Sequence, residues 1–91
     1  MKNIVVDFTG AKYYYDLHQI LKDSLELPDF YGRNVDALWD CITGMIELPF
    51  AVTLKGLNTL PKDLENQKNL ILRVFIRAQE EDWGVYVTIE D

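Results

Sequence analysis

Cysteine and histidine each occur once in the 91 residues, proline three times, and nine Lys plus Arg stand against fifteen Asp plus Glu. A lone thiol cannot close an intrachain disulfide, which excludes the disulfide-built secreted scaffolds common at this size. Walker, Rossmann and zinc-binding spacings are absent. No apolar run approaches the ~18 residues of a membrane span. The N-terminal MKNIVVDF reaches Asp7 after three apolar residues, too soon for a signal-peptide apolar stretch. The expectation is therefore a soluble, cytoplasmic protein. The shortage of Lys and Arg argues against nucleic acid as partner, because phosphate recognition needs clustered cations. The net charge of −6 suits a basic partner instead. With no repeat, low-complexity tract or Gly/Ser-rich linker, residues 1–91 read as one domain.

What is present is enough apolar material, 48% of residues, to fold one small core. Residues 3–8 (NIVVDF) read as a strand ending at Thr9-Gly10. Between Tyr15 and Leu27, Leu17, Ile20, Leu21 and Leu25 recur at helical spacing, with Asp16 as cap and Pro28 forcing the end. A loop, PDFYGR, with two exposed-looking aromatics, leads to Asn34, a good N-cap. Val35, Leu38, Trp39 and Ile42 then share a helical face, and Gly44 reads as a left-handed cap. Residues 50–55 form a second strand, 57–63 a loop or short helical turn, 64–81 a third helix with Leu70, Ile71, Val74, Phe75 and Ala78 inward, and 85–90 a last strand. The order β-α-α-β-α-β, with long helical crossovers, implies a parallel sheet of three strands. Each strand alternates apolar and polar residues, including Val85/Val87/Ile89, so one sheet face is buried and the other wet. Right-handed crossovers on one side then give an α/β two-layer sandwich, a three-stranded parallel sheet of order 1-2-3 with helices covering one face.

The charge is concentrated. Between Asp23 and Glu47, six acids (Asp23, Glu26, Asp29, Asp36, Asp40, Glu47) face one cation, Arg33, leaving −5 in 25 residues. Asp36, Asp40 and Thr43 fall on the solvent stripe of the second helix. Two acids one turn apart repel, and Asp40 lies toward the end that the helix dipole makes unfavourable for it. Helix stability therefore does not explain Asp40. Phe30, Tyr31 and Trp39 border the acids, and Gly32 and Gly44 leave backbone approachable, which describes an interface with aromatic anchors. A solvated acidic face, with Trp39 half-buried in the core, is the plainer alternative.

Catalysis is poorly supported. Cys41 lies between the inward residues Leu38 and Ile42 and reads as an inert core thiol. His18, next to inward Leu17, reads as a surface or satisfied helical histidine. Asp36 and Asp40 could pair as in glycoside hydrolysis, but on a convex helix face they would lack a substrate cleft, and with Glu47 they would lack a cage for a metal.

The block from Leu27 to Pro49, LPDFYGRNVDALWDCITGMIELP, closely resembles the barstar family of intracellular ribonuclease inhibitors, and the likeness extends to Asp16-Leu17-His18-Gln19 and Val74-Phe75. The resemblance implies an inhibitor, not an enzyme, that lays its second helix and the preceding loop across the active site of a small basic barnase-like ribonuclease. The complex would be one-to-one, formed by a monomer without cofactor or metal. It implies that Asp40 stands in for a substrate phosphate, surrounded by contacts from Phe30, Tyr31, Asn34, Asp36, Thr43 and Gly44. Gly32, Trp39, Met45 and Glu47 complete the expected partner-binding surface. Against the family pattern, Phe30 replaces a tyrosine, Met45 a tryptophan, Arg77 a glutamate and Arg33 an acid, and Trp83 stands at a second cysteine's place. An acidic module docking a basic non-nuclease partner is the alternative function.

Overall fold

The structure, a computed structural model, describes residues 1–90. Its strands are β1 (Lys2–Asp7), β2 (Phe50–Lys55) and β3 (Val85–Glu90), and its helices α1 (Tyr14–Leu25), α2 (Val35–Gly44) and α3 (Glu65–Glu80). Two short 3-10 turns, Leu57–Thr59 and Lys62–Leu64, lie between β2 and α3. The sheet is parallel with order β1-β2-β3, as the crossover argument implies. Its register pairs Lys2 with Phe50 and Phe50 with Val85, carrying through to Asp7, Lys55 and Glu90.

Strand alternation produces the two layers. Ile4, Val6, Phe50, Val52, Leu54 and Val85 are buried under the helices, against Leu17, Leu21, Leu38, Ile42, Ile71 and Phe75. On the other face Asn3, Val5, Tyr86 and Thr88 are exposed. Ile89, expected on the buried face, is 48% exposed. Burial fades along β3, from the buried Val85 through the half-buried Val87 to the exposed Ile89.

Local chemistry sets the helix ends, in two places differently from expectation. Asp16 is not the cap of α1 but lies in its first turn, where Oδ2 accepts from the Lys12 and Tyr13 backbone N–H groups at 2.9 and 3.0 Å. The helix ends before Pro28 is reached: Glu26 turns left-handed (φ 54°) and Leu27 N–H donates to Lys22 O, which satisfies the terminal carbonyls. Gly44 is not a left-handed cap either; it is the last residue of α2. Met45 and Ile46 N–H both close on Cys41 O instead, with Met45 at φ −120°. Leu70, expected to face the core, is only half-buried.

One glycine is required outright. Gly56 has φ +73°, and a Cβ there would lie 2.4 Å from Thr9 Oγ1 and 2.7 Å from Thr9 N. The turns after β1 and β2 thus touch, backbone against backbone. Asp7 Oδ1 accepts from Thr9 N–H at 3.0 Å, and the hydrogen bonds from Thr9 lower the Asp7 carboxyl pKa.

Candidate partner-binding site

The loop between α1 and α2 is held from both sides. Asn34 caps α2: its Oδ1 accepts from Ala37 N–H at 2.8 Å, and its Nδ2 donates to Gly32 O at 3.1 Å. Gly32 packs so closely on the first turn of α2 that a Cβ would meet Ala37 Cβ at 3.3 Å. From the α1 side, the Tyr14 hydroxyl donates to Arg33 O at 2.5 Å, and the Arg33 guanidinium sits 4.8 Å over the Tyr15 ring. Arg33 itself is left-handed (φ 54°).

Tyr31, expected to be exposed, is buried at 5% exposure. Its hydroxyl needs a partner inside the protein and meets His18 Nδ1 at 2.6 Å. His18 is fully buried, so its surface reading falls, and the satisfied reading holds only at Nδ1, since Nε2 has no partner among the described residues. Burial, helped by the Arg33 charge, lowers its pKa to about 4. Burial also raises the Tyr31 phenol. Phe30, the neighbouring aromatic, is 75% exposed. The loop therefore spends one aromatic as an internal bolt and presents the other to solvent.

Helix α2 turns Leu38, Cys41 and Ile42 into the core and leaves Asp36 and Asp40 exposed. The Cys41 thiol lies 3.7 Å from Met45 Sδ; burial pushes its pKa up, and the Asp40 charge adds to this. Thr43 is half-buried, its hydroxyl donating to Trp39 O at 2.7 Å, while Gly44 stays open to solvent.

Asp36 and Asp40 do not stand on a plainly convex surface, contrary to expectation. Asp40 forms the ridge between two depressions. One is a groove of about 410 Å³ between α2 and α3, lined by Val35, Asp36, Trp39, Asp40, Leu70, Arg73, Val74 and Arg77. The other, about 250 Å³, is lined by Phe30, Tyr31, Gly32, Ala37, Asp40, Cys41 and Met45. Helix α3, packed beside α2, forms the second wall of the larger one. Neither depression brings the imidazole of His18 to Asp36 and Asp40. Among the described residues no group of three or more His, Cys, Asp or Glu side chains gathers to hold a metal ion.

The acidic window also resolves into two sets. Asp29 pairs with Lys22 at 3.2 Å, Glu26 with Lys2 at 3.6 Å, and Asp23 accepts from Gln19 at 2.9 Å. Among the described residues, Asp36, Asp40 and Glu47 have no cation within 4.0 Å. Glu47 stands apart from the other two, in a separate hollow with Met1, Lys2, Leu48 and Pro49. Trp39 is half-buried, beneath the Arg77 guanidinium at 4.1 Å and edge-on to Trp83 at 6.2 Å. Sequence reasoning missed Arg73 as part of this surface. The signal available was its spacing of four from Arg77 on the outer face of a helix.

The fold and this surface define a small α/β domain that presents an acid-bearing helix and an adjoining loop to solvent. The chain belongs to the barstar family: residues 1–90 match the family model described as Barstar (barnase inhibitor). It is similar to the Bacillus subtilis (strain 168) protein named "Putative ribonuclease inhibitor YrdF", 42% identical over 81 residues that span 89% of each chain.

Proposed function

We propose that this protein is a ribonuclease inhibitor that acts in the cytoplasm, binding a small basic barnase-like enzyme one-to-one and covering its active site with α2 and the loop before it. One observation carries the reading: in a barstar-family chain, Asp40 is exposed, without an ion pair among the described residues, and set on the ridge between two depressions. An enzyme that cleaves RNA presents clustered cations where the scissile phosphate binds. A carboxylate offered there without an internal partner forms charge-assisted hydrogen bonds while giving up none of its own. Asp36 adds charge on the same side, and the open aromatic Phe30 and the thioether Met45 supply apolar contact around it.

The loop geometry supports a pre-organised surface. Asn34, Gly32, Tyr14 and the buried Tyr31 fix the backbone before any partner arrives, which reduces the ordering cost of association. The net charge steers encounter with a cationic enzyme.

The test is titration of barnase-catalysed RNA cleavage with the purified protein. The wild-type chain should abolish cleavage at one equivalent, and Asp40→Ala should lose roughly a hundredfold or more in affinity. Equal inhibition by Asp40→Ala would remove the phosphate-mimic role. Capture of a basic partner without ribonuclease activity, with barnase left uninhibited, would favour a different docking partner.

A further inference from the structure

The groove between α2 and α3 carries four charges in an ordered pattern. Asp36 and Asp40, one turn apart, stand on the α2 wall; Arg73 and Arg77, one turn apart, stand on the α3 wall. Val35, Trp39, Leu70 and Val74 line the space between. Opposite charges on adjoining helices would be expected to close on each other. Here, among the described residues, no carboxylate of α2 lies within 4.0 Å of either arginine. The groove stays open, with an acidic wall and a basic wall.

Arg77 is also fixed in place. Its Nε donates to Glu81 Oε2 at 2.6 Å, and its guanidinium stacks 4.1 Å above Trp39. Trp39 is buttressed edge-on by Trp83, whose Nε1 donates to Glu81 Oε1 at 3.4 Å. The hydrogen bonds from Arg77 and Trp83 lower the Glu81 pKa, so this carboxylate stays ionised. A guanidinium carries five N–H donors, and among the described residues Arg77 uses only the Nε–H, leaving four for a ligand. Arg73 has no ion pair among the described residues. A stacked, oriented guanidinium beside a second free one is the arrangement that reads a planar oxyanion in two-toothed fashion.

We infer that Arg77 and Arg73, on the α3 wall, select a ribonuclease that presents a carboxylate to them, beside the basic group met by Asp40. This rests on the inhibitor reading above and names the partner's chemistry at one edge of that surface. The acidic wall alone would accept any basic enzyme. The arginine wall repels a partner that is cationic throughout and rewards one whose charge alternates across the ~8–10 Å between packed helices.

The test uses barnase as probe, in a scan that changes each surface Lys and Arg outside its catalytic residues to Glu, one at a time. Affinity is measured for the wild-type chain and for Arg73→Gln, Arg77→Gln and the two combined. At least one barnase Glu variant should bind the wild-type chain tenfold or more tightly than unmodified barnase, through slower dissociation, and lose that gain with the doubly substituted chain. The inference is overturned if no variant gains, if the gain persists without the arginines, or if no member of the scan binds. Arg73→Gln guards against a folding artefact, because among the described residues Arg73 makes no ion pair and lies outside the Arg77–Trp39–Trp83 stack; thermal unfolding checks the rest. Asp40→Ala, run against the same set, separates the two proposals. If it abolishes binding throughout while the arginines show no coupling, the inhibitor site stands and the arginine wall falls. If Asp40→Ala changes nothing, the inhibitor site itself fails.

Discussion

The Nδ1 of His18, midway along α1, lies 2.6 Å from the hydroxyl of Tyr31, in the loop that carries Phe30, and both side chains are buried. This pair ties the presented loop to the core of the fold. Among the described residues His18 Nε2 has no hydrogen-bond partner, and the Arg33 guanidinium, with Nη1 also unpartnered, lies close enough to disfavour a second positive charge.

Stability should therefore fall in mild acid. The native pKa of His18, about 4, lies below the unfolded value of 6.5, so the unfolded chain binds more protons between them. The contribution is complete above pH 6.5, about 2 kcal/mol smaller by pH 5, and lost as pH falls through 4. Urea unfolding midpoints measured from pH 7.5 to 4.5 check this. His18→Gln, which cannot titrate, should flatten that limb of the curve.

Tyr31→Phe should destabilise the protein by about 1–3 kcal/mol, because it leaves His18 Nδ1 buried without its partner. Removing both polar groups, as in Tyr31→Phe with His18→Leu, should cost less than the sum of the single changes. A double-mutant cycle in urea gives the coupling; strict additivity would show that the hydrogen bond contributes nothing.

Much of this arrangement is legible in the sequence where the periodicity is strong. The three strands, the parallel order and the inward faces of α2 and α3, Leu70 excepted, follow from apolar spacing and crossover length, and Asn34 is readable as a cap because its side-chain chemistry is local. Tyr31 and Gly44 are misread for a common reason. An aromatic beside Gly and Pro looks exposed until a residue thirteen positions earlier is known to meet its hydroxyl, and a glycine at a helix end looks left-handed until the following carbonyl bonds are known. The groove is less legible still, since Asp40 and Arg73 share it only through the packing of α2 on α3.

Gly56→Ala should cost about 2–4 kcal/mol, from left-handed backbone and from the 2.4 Å approach of the new Cβ to Thr9 Oγ1. Gly10→Ala isolates the first cause. Gly10 also has positive φ, +90°, but a Cβ there meets nothing within 4 Å, so the loss should be only about 1–2 kcal/mol. Thermal unfolding of the two variants side by side checks the difference.

A carboxylate kept for a partner should be a burden to the isolated fold, and Asp40 allows that to be measured. It lies in the second half of α2, one turn after Asp36, with no cation within 4.0 Å among the described residues. Asp40→Ala relieves the repulsion, worth ~0.2–0.5 kcal/mol, and replaces a poor helix former with the best one. Stability should rise by about 1 kcal/mol, or roughly 4–8 °C in Tm for a domain of this size. Asp36→Ala relieves the same repulsion and gains the same propensity, but it loses the favourable contact with the helix N-terminus, so its Tm should rise less. The same two proteins titrated against barnase should rank the opposite way to their stabilities, with Asp40→Ala the more stable chain and the weaker inhibitor. A loss of Tm in Asp40→Ala would show that the carboxylate serves the fold, and the case for its serving a ribonuclease would go with it.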